Sequence, residues 1–496
     1  MKGNIIIRKK RVLFFIIFYF IFSFVFLFAE SECNCNCYTI IVGRKASLNG
    51  NIILAHNEDD SGDNLFVNIR KVKRINNDNK ISLITRNGTT VAINGAKAEL
   101  LWFEIPNMVF ADSFVNEYGV IIVSNACPSK VSKKNKKGLR YLLRRLVAER
   151  AHSAREAVKI MGALVEKYGY DSSGRTYSIA DKNEGWVLEI VNGKLWIAQR
   201  VDDDKLMVIP NHYIIRYVNL KDKNNFMGSK DIISYAVKNG LYNPEKGGEF
   251  DFAKIYSHNL KHPGNIYRHW RGLSLLSGKN FTPNQRFPFQ VKPNEKISIK
   301  KLFNLLKDHY EGTIYDTTDG YKLGDPNKKN KYRPICVSST QYSIVAELRD
   351  NLPKPISTLL WVSVRKPDTS VYFPLYYGVN PLPDDFGMIY NSENYTELLK
   401  KHFNPYITPS NNLLYERIIK TEKKIEKNYN QNINIVSRIK ENLQNYYIKI
   451  LPFFEESYIK IYNNDKKMAQ KYLNSFFYGE YYYFKKGFKD INEKIR

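Results

Sequence analysis

The stretch Ser31-Glu-Cys-Asn-Cys-Asn-Cys-Tyr-Thr-Ile-Ile-Val-Gly43, continued by Ala55-His-Asn-Glu-Asp-Asp-Ser-Gly62, decides how the rest of the chain is read. Three cysteines at alternate positions, Cys33, Cys35 and Cys37, follow a hydrophobic leader. A cysteine there can become the first residue of a mature chain. It then carries a thiol nucleophile and a free α-amine on one residue. An unperturbed α-amine titrates at about 7.7–8.0, so near pH 7 it is partly neutral and can take the thiol proton.

The leader itself has the form of an export signal. Met1–Arg11 is basic, Val12–Ala29 is apolar and aromatic apart from Ser23, and Ala29 and Ser31 supply a small-x-small cleavage site. Residues 1–31 are therefore expected to be a signal peptide and 32–36 a short propeptide. The competing reading is an uncleaved anchor and membrane association through it, because the apolar stretch reaches the roughly 17-residue minimum for a span. The protein is expected to be exported (secreted, periplasmic or lumenal), or membrane-anchored by this segment.

The chain has 496 residues, 43% hydrophobic and 25% charged, which is a globular composition with room for a large core. Its net charge of +27 does not read as nucleic-acid binding. The lysines are spread along the chain, and the densest run, Lys130-Val-Ser-Lys-Lys-Asn-Lys-Lys137, lacks the interleaved aromatics on which single strands stack. Five cysteines are too few for a disulfide framework at this length. The cysteine ladder has no nearby histidine and no second pair at zinc-finger spacing, so no metal is expected.

From Tyr38 the pattern turns to strands. Tyr38–Val42 and Asn51–His56 flank the turn signal Asn49-Gly50, and Ile81–Arg86 and Gly119–Ser124 read as further strands. Leu139–Arg150 is an amphipathic helix. Ser153-Ala-Arg-Glu156 is a capping box that opens a second helix, with its apolar face expected at Ala157, Ile160, Met161, Leu164 and Tyr168. Arg175–Asp181, Trp186–Val191 and Lys194–Val201 form a meander. Ile299–His309 is a helix capped by Ser298; Thr340–Leu348, Thr358–Val364 and Val371–Tyr377 are strands. Beyond Asn411 the chain is helical, with Pro452 expected to interrupt it. Alternating blocks of strand and helix imply layered sheets with helices outside.

The run from Cys37 through Ser47 and on to Asn57-Glu-Asp59 resembles the start of the dipeptidase A/secernin family, cysteine hydrolases of the N-terminal-nucleophile superfamily. Phe110-Ala-Asp-Ser-Phe-Val-Asn-Glu-Tyr-Gly-Val120, Glu149-Arg-Ala-His-Ser-Ala-Arg-Glu-Ala157 and Ser173-Gly-Arg-Thr-Tyr-Ser-Ile-Ala-Asp181 are similar to further blocks of that family. So are Pro210-Asn211, Asp308-His-Tyr-Glu-Gly-Thr313 and Trp361-Val362. The likeness runs from Cys37 to about Gly378. It implies an α+β fold, the four-layer αββα sandwich, as a domain over 37–400, with a helical C-terminal extension over 401–496.

The resemblance also implies the site. Cys37 is in register as nucleophile, whereas Cys33 and Cys35 are not. Asp59 matches the acidic residue beside the nucleophile, where a carboxylate can orient the α-amine; the bland alternative is one acid of a solvated Glu-Asp-Asp loop. His56 stands where related amidases carry Arg. It is expected to bind substrate or steady the thiolate with a charge that switches near neutral pH, the alternative being a core histidine. Asn211 matches an oxyanion-hole asparagine, with Asn125 a second donor candidate and a turn-forming role the alternative. Arg271 matches a late active-site arginine, with Arg268 competing. Cys127 reads as a small buried hydrophobe. Glu117 and Glu311 have no assigned role, and His309 reads as structural.

The implied activity is hydrolysis of dipeptides or short peptides through an acyl-enzyme, without cofactor. The alternatives are an N-acyl amide hydrolase of the bile-salt/penicillin amidase kind, and a non-catalytic surface protein that kept the fold. Substrate preference and oligomeric state stay open at this stage.

Overall fold

The computed structural model describes residues 37–60, 65–74, 81–85, 88–93, 97–131, 137–316, 318–319, 321–327, 332–387, 401–403 and 413–495. The leader 1–31, the segment 32–36 with Cys33 and Cys35, and residues 132–136 of the lysine run lie outside the described residues. Among the described residues, no helix is long and apolar enough to cross a membrane.

Runs rich in β-branched and aromatic residues become strands, numbered along the chain. β1 (Tyr38–Val42) and β2 (Ile52–Asp59) are joined through Asn49-Gly50, where Gly50 takes a φ of +73°. β3 (Asn68–Val72), β4 (Ile81–Ile84), β5 (Thr90–Ile93) and β6 (Leu100–Glu104) follow. Next are β7 (Ser113–Asn116), β8 (Ile121–Ala126), β9 (Arg175–Ala180), β10 (Gly185–Asn192) and β11 (Leu195–Val201). The series ends with β12 (Leu206–Ile209), β13 (Phe226–Gly228), β14 (Thr340–Leu348), β15 (Thr358–Val364) and β16 (Phe373–Tyr376).

Apart from the β4–β5 pair, the strands form two antiparallel sheets. One has the order β12-β1-β2-β14-β15-β16, the other β13-β11-β10-β9-β8-β7-β6-β3. The sheets pack face to face. Tyr342 on β14 donates to Ala111 O at 2.8 Å and its ring meets that of Phe103 on β6. Thr39 on β1 donates to Asn125 Oδ1 on β8 at 2.6 Å.

Helices cover both outer faces. Ala154–Tyr168 lies over β9–β11, with Ser153 accepting from Glu156 N as its cap. Its buried positions are Ala154, Ala157, Val158, Met161, Gly162 and Val165, a face turned from the expected one. The reason is Gly162: a Cβ there would stand 2.1 Å from the Trp196 ring, so the helix settles with its glycine on the indole. On the other face, Tyr38 OH donates to Arg268 O of the helix Pro263–Ser277 at 3.0 Å. Asn57 Nδ2 donates to Leu306 O of the helix Ile299–Leu306 at 2.9 Å. The order helix–sheet–sheet–helix is the αββα sandwich implied by the resemblance.

The C-terminal helices Leu414–Lys427, Tyr429–Asn464 and Lys466–Lys494 run beside β14–β16. Phe454 meets Tyr376, Phe484 meets Phe373, and Glu455 binds Arg349 at 2.6 Å. Pro452 does not break its helix. It removes one backbone donor, but Leu451 and Phe454 on either side are buried and hold the turn.

Candidate active site

Cys37 stands immediately before β1, and strand register decides what surrounds it. β1 pairs with β2 so that Tyr38 faces Asn57 and Thr39 faces His56. It pairs with β12 so that Thr39 faces Ile209. Continued to Cys37, the register brings Glu58 to one side and Asn211 to the other. Side chains alternate along a strand, so Cys37, Thr39, His56 and Glu58 share the face between the sheets. Tyr38, Asn57 and Asp59 share the face under the helices.

On the inner face the thiol, carboxyl and imidazole form a chain. Cys37 Sγ donates to Glu58 Oε1 at 3.0 Å. Glu58 Oε2 lies 3.1 Å from His56 Nε2, and His56 Nδ1 lies 2.8 Å from Thr39 Oγ1. The proton positions follow from the far end. Asn125 Nδ2 donates to Ile209 O and Pro210 O, so its Oδ1 accepts from Thr39. Thr39 Oγ1 must then accept from His56 Nδ1–H. That leaves His56 Nε2 as an acceptor, and the proton between it and Glu58 belongs to the carboxyl.

The electrostatics agree with this assignment. Burial pushes Glu58 up to about 8, against a pull from the Cys37 hydrogen bond and from Arg144 and Arg175. Burial pushes His56 down to about 3. Burial, then the Glu58 and Asp59 charges, hold the Cys37 thiol well above its ordinary value, while the Asp59 backbone N–H pulls the other way. His56 therefore stays neutral across the physiological range and does not touch the sulfur. The expected switchable charge beside the thiolate is absent: in a fully buried site, desolvation, with the Arg144 charge added to it, outweighs the Asp59 carboxylate.

An acid whose folded pKa is about 8, against 4.5 when exposed, favours the fold while protonated; that contribution is complete below about 4.5 and is lost as pH rises through 8. Glu58→Gln keeps the neutral shape. Its melting temperature relative to the full-length wild type is expected to rise as pH goes from 5 to 8, read by scanning calorimetry. A gap independent of pH would show that Glu58 is ionised in the fold.

On the helical face, Asp59 accepts from Thr340 Oγ1 at 2.6 Å and from Arg333 at 3.3 Å. Burial raises its carboxyl to about 6, with Arg333 drawing it back. It is the last residue of β2, not part of a solvated loop. Arg268 crosses the site: Nη1 donates to Cys37 O at 3.3 Å and Nη2 to Asn211 Oδ1 at 2.8 Å. Asn265 clasps both backbone groups of Asn211. The structure thus joins Asn211 to Cys37 through Arg268, and fixes which end of the Asn211 amide faces the guanidinium.

Two expected site residues are used elsewhere. Arg271 is held in a two-pronged pair with Asp308, the shortest contact 2.6 Å, and donates to Glu311 O. Arg268 takes the position by the nucleophile instead. Asn125 spends its amide hydrogens on the Ile209 and Pro210 carbonyls at the end of β12 and so acts as a strut between the sheets. Cys127 is a buried free thiol. Glu117 pairs with Arg74 and Lys354, and Glu311 accepts from the His309 backbone and Tyr321.

The sequence pattern assigns no role to Glu58, Thr39 or the buried pair His212–His269, which is bonded at 2.9 Å and adjoins Asn211 and Arg268 in the chain. Strand alternation is the available signal for Glu58: two residues from His56, it shares that side chain's face.

Two groups among the described residues bring metal-ligating atoms together: Cys37, His56 and Glu58, and also His309, Cys336 and Asp368. In the second, His309 bonds Glu311 and Asn327, and Asp368 accepts from Asn327 and Tyr429. Protein hydrogen bonds already close that network. The first group lies in the candidate site.

Comparison with known proteins places the chain in a family. The profile of peptidase family C69 matches residues 131–408, more than half of the chain, a stretch that carries Asn211 and Arg268. A probable dipeptidase of Salmonella dublin is 28% identical over 359 residues, covering 69% of this chain and 81% of that protein. Dipeptidase A of Lactobacillus helveticus is 30% identical over 240 residues, 47% of this chain and 49% of that protein. A crystal structure of a mutant conjugated bile acid hydrolase from Clostridium perfringens aligns at 12% identity over 69% of this chain and 92% of that one. Its TM-score of 0.32 is too low to bear on the fold. On the extent of the profile match, the chain belongs to peptidase family C69 and is a hydrolase of peptide bonds.

Proposed function

We propose that this chain is a cysteine-type dipeptidase that works through an acyl-enzyme on Cys37 once residues 1–36 are removed. The observation that supports the reading is the position of Cys37: it heads β1 with Glu58 on one side, and Arg268 links its carbonyl to Asn211 on the other. In the full-length chain its nitrogen is an amide and cannot serve as a base. The thiol, buried and beside an acid, stays protonated.

Cleavage before Cys37 would free an α-amine of near-neutral pKa on the same residue. That amine takes the thiol proton as sulfur attacks the scissile carbonyl, then gives it to the leaving amine. Water, deprotonated by the amine, hydrolyses the thioester. Asp59, held by Thr340 and Arg333, is the carboxylate that would orient the amine. The Asn211 amide would donate to the oxyanion. The steps require no metal or organic cofactor.

The names of the relatives, probable dipeptidase and dipeptidase A, support dipeptides as substrates. The basic-then-apolar leader supports export, with a signal peptide over 1–31 and a propeptide over 32–36 removed by the enzyme itself or by another protease. The test is a panel of dipeptides, longer peptides and N-acyl amides, given to purified protein beginning at Cys37. Dipeptide cleavage that iodoacetamide abolishes is expected. Cleavage of the acyl amides alone would make the protein an amidase, and cleavage of nothing would leave it a non-catalytic member of the fold.

A further inference from the structure

We infer that Glu58 is the receptor for the free α-ammonium group of the substrate's N-terminal residue, so that the enzyme acts on peptides with an unblocked amino terminus. This rests on Cys37 as the nucleophile and deepens the dipeptidase reading: it names the group that would separate a dipeptidase from an acyl-amide hydrolase.

The argument begins with reach. When Cys37 is acylated by an amino acid, the ammonium nitrogen is three bonds from Sγ, which is about 3–4 Å. Glu58 Oε1 is 3.0 Å from that sulfur and on the same face of the sheet. An ammonium on the acyl group can therefore approach this carboxylate to hydrogen-bonding distance. Asp59 does not compete for it. It lies on the opposite face of β2, held by Thr340 and Arg333, where it serves the enzyme's own α-amine. Alternation along one strand thus divides two amines between two neighbouring carboxylates.

The second argument is that Glu58 is otherwise a liability. An acid in contact with a nucleophilic thiol opposes formation of the thiolate, and burial makes its own charge costly. A bound ammonium adds a hydrogen-bonded cation to the pull of Arg144 and Arg175. As the pair forms, Glu58 gives up its proton to solvent and becomes a carboxylate, and the ammonium cancels the negative charge that would hold the thiol protonated. A blocked substrate brings an amide of no charge, and leaves the carboxyl neutral and beside the sulfur. Selection for a free amino terminus and activation of the nucleophile are then one event. Before substrate arrives, His56, with its proton on Nδ1, accepts from the protonated outer oxygen of Glu58 and turns the inner oxygen toward Sγ.

The test reads recognition at the thiol separately from turnover. Protein beginning at Cys37 is labelled with alanine chloromethyl ketone, which carries a free ammonium, and with its N-acetyl analogue. Rates are followed by intact mass. Wild type is expected to prefer the free-amine reagent about 100-fold, the scale on which losing one partner of a buried charge pair is felt. In Glu58→Gln that ratio is expected to fall toward one, and in Glu58→Met, of similar volume and without a charge, to do the same; Glu58→Asp should retain part of it. A wild-type ratio near one, or a ratio unchanged in both Glu58→Gln and Glu58→Met, overturns the assignment. Preferential labelling in a protein that cleaves no dipeptide would instead overturn the dipeptidase reading and leave Glu58 as the ammonium site.

Discussion

Cys37→Ala is expected to leave a folded chain with no measurable hydrolysis, a loss on the order of 10⁵–10⁶ in turnover, as when an acyl-transfer nucleophile is removed. The fold should survive because alanine removes only one buried sulfur and one hydrogen bond to Glu58. Cys33→Ala and Cys35→Ala should leave the turnover of processed protein near wild type, since the register ties Cys37 alone to Glu58 and Asn211. Cys37→Ser should turn over poorly, because a hydroxyl is far less acidic than a thiol. Intact mass on the active species provides the companion measurement. The N-terminus should map to Cys37, since only there is the α-amine on the nucleophile itself. Full activity in a chain that starts further upstream would end this mechanism.

Much of the fold is legible in the sequence because its strands carry their own signal. Thr340–Leu348 and Thr358–Val364 are delimited to the residue by β-branched runs between turn formers, and Ser153 and Ser298 mark helix starts by side-chain capping. The failures share a cause in tertiary contact. The helix Pro263–Ser277 escapes the pattern because Arg268, His269 and Arg271 look polar in sequence yet are buried through their partners. Arg268 and Arg271 are three residues apart on it, near enough on a helix surface to be confused. Yet one meets the Cys37 carbonyl and the other Asp308. Glu58 is hidden in an acidic run that resembles a solvated loop. Burial, which no local pattern shows, turns it into a protonated acid and strips His56 of its expected charge.

Asn211→Ala is expected to lower turnover by about 10²–10³, the usual cost of losing one oxyanion donor, with a smaller change in KM because the donor is needed mainly once the oxyanion forms. Its position makes the expectation specific. β12 runs antiparallel to β1, so Asn211 comes level with Cys37. Asn265 holds its backbone, and Arg268 claims Oδ1, which fixes the side-chain rotamer. The Asn125→Ala variant separates this role from a structural one. Its amide joins Thr39 to the carbonyls of Ile209 and Pro210, so its removal strips partners from buried groups, at a cost of about 1–3 kcal/mol of stability for a group left unsatisfied. Asn125→Ala should therefore lower the melting temperature and change kcat little below it, whereas Asn211→Ala should lower kcat at nearly constant melting temperature. If Asn125→Ala instead carries the loss in kcat and Asn211→Ala is silent, the oxyanion faces β8, and Arg268 serves only to brace the start of β1.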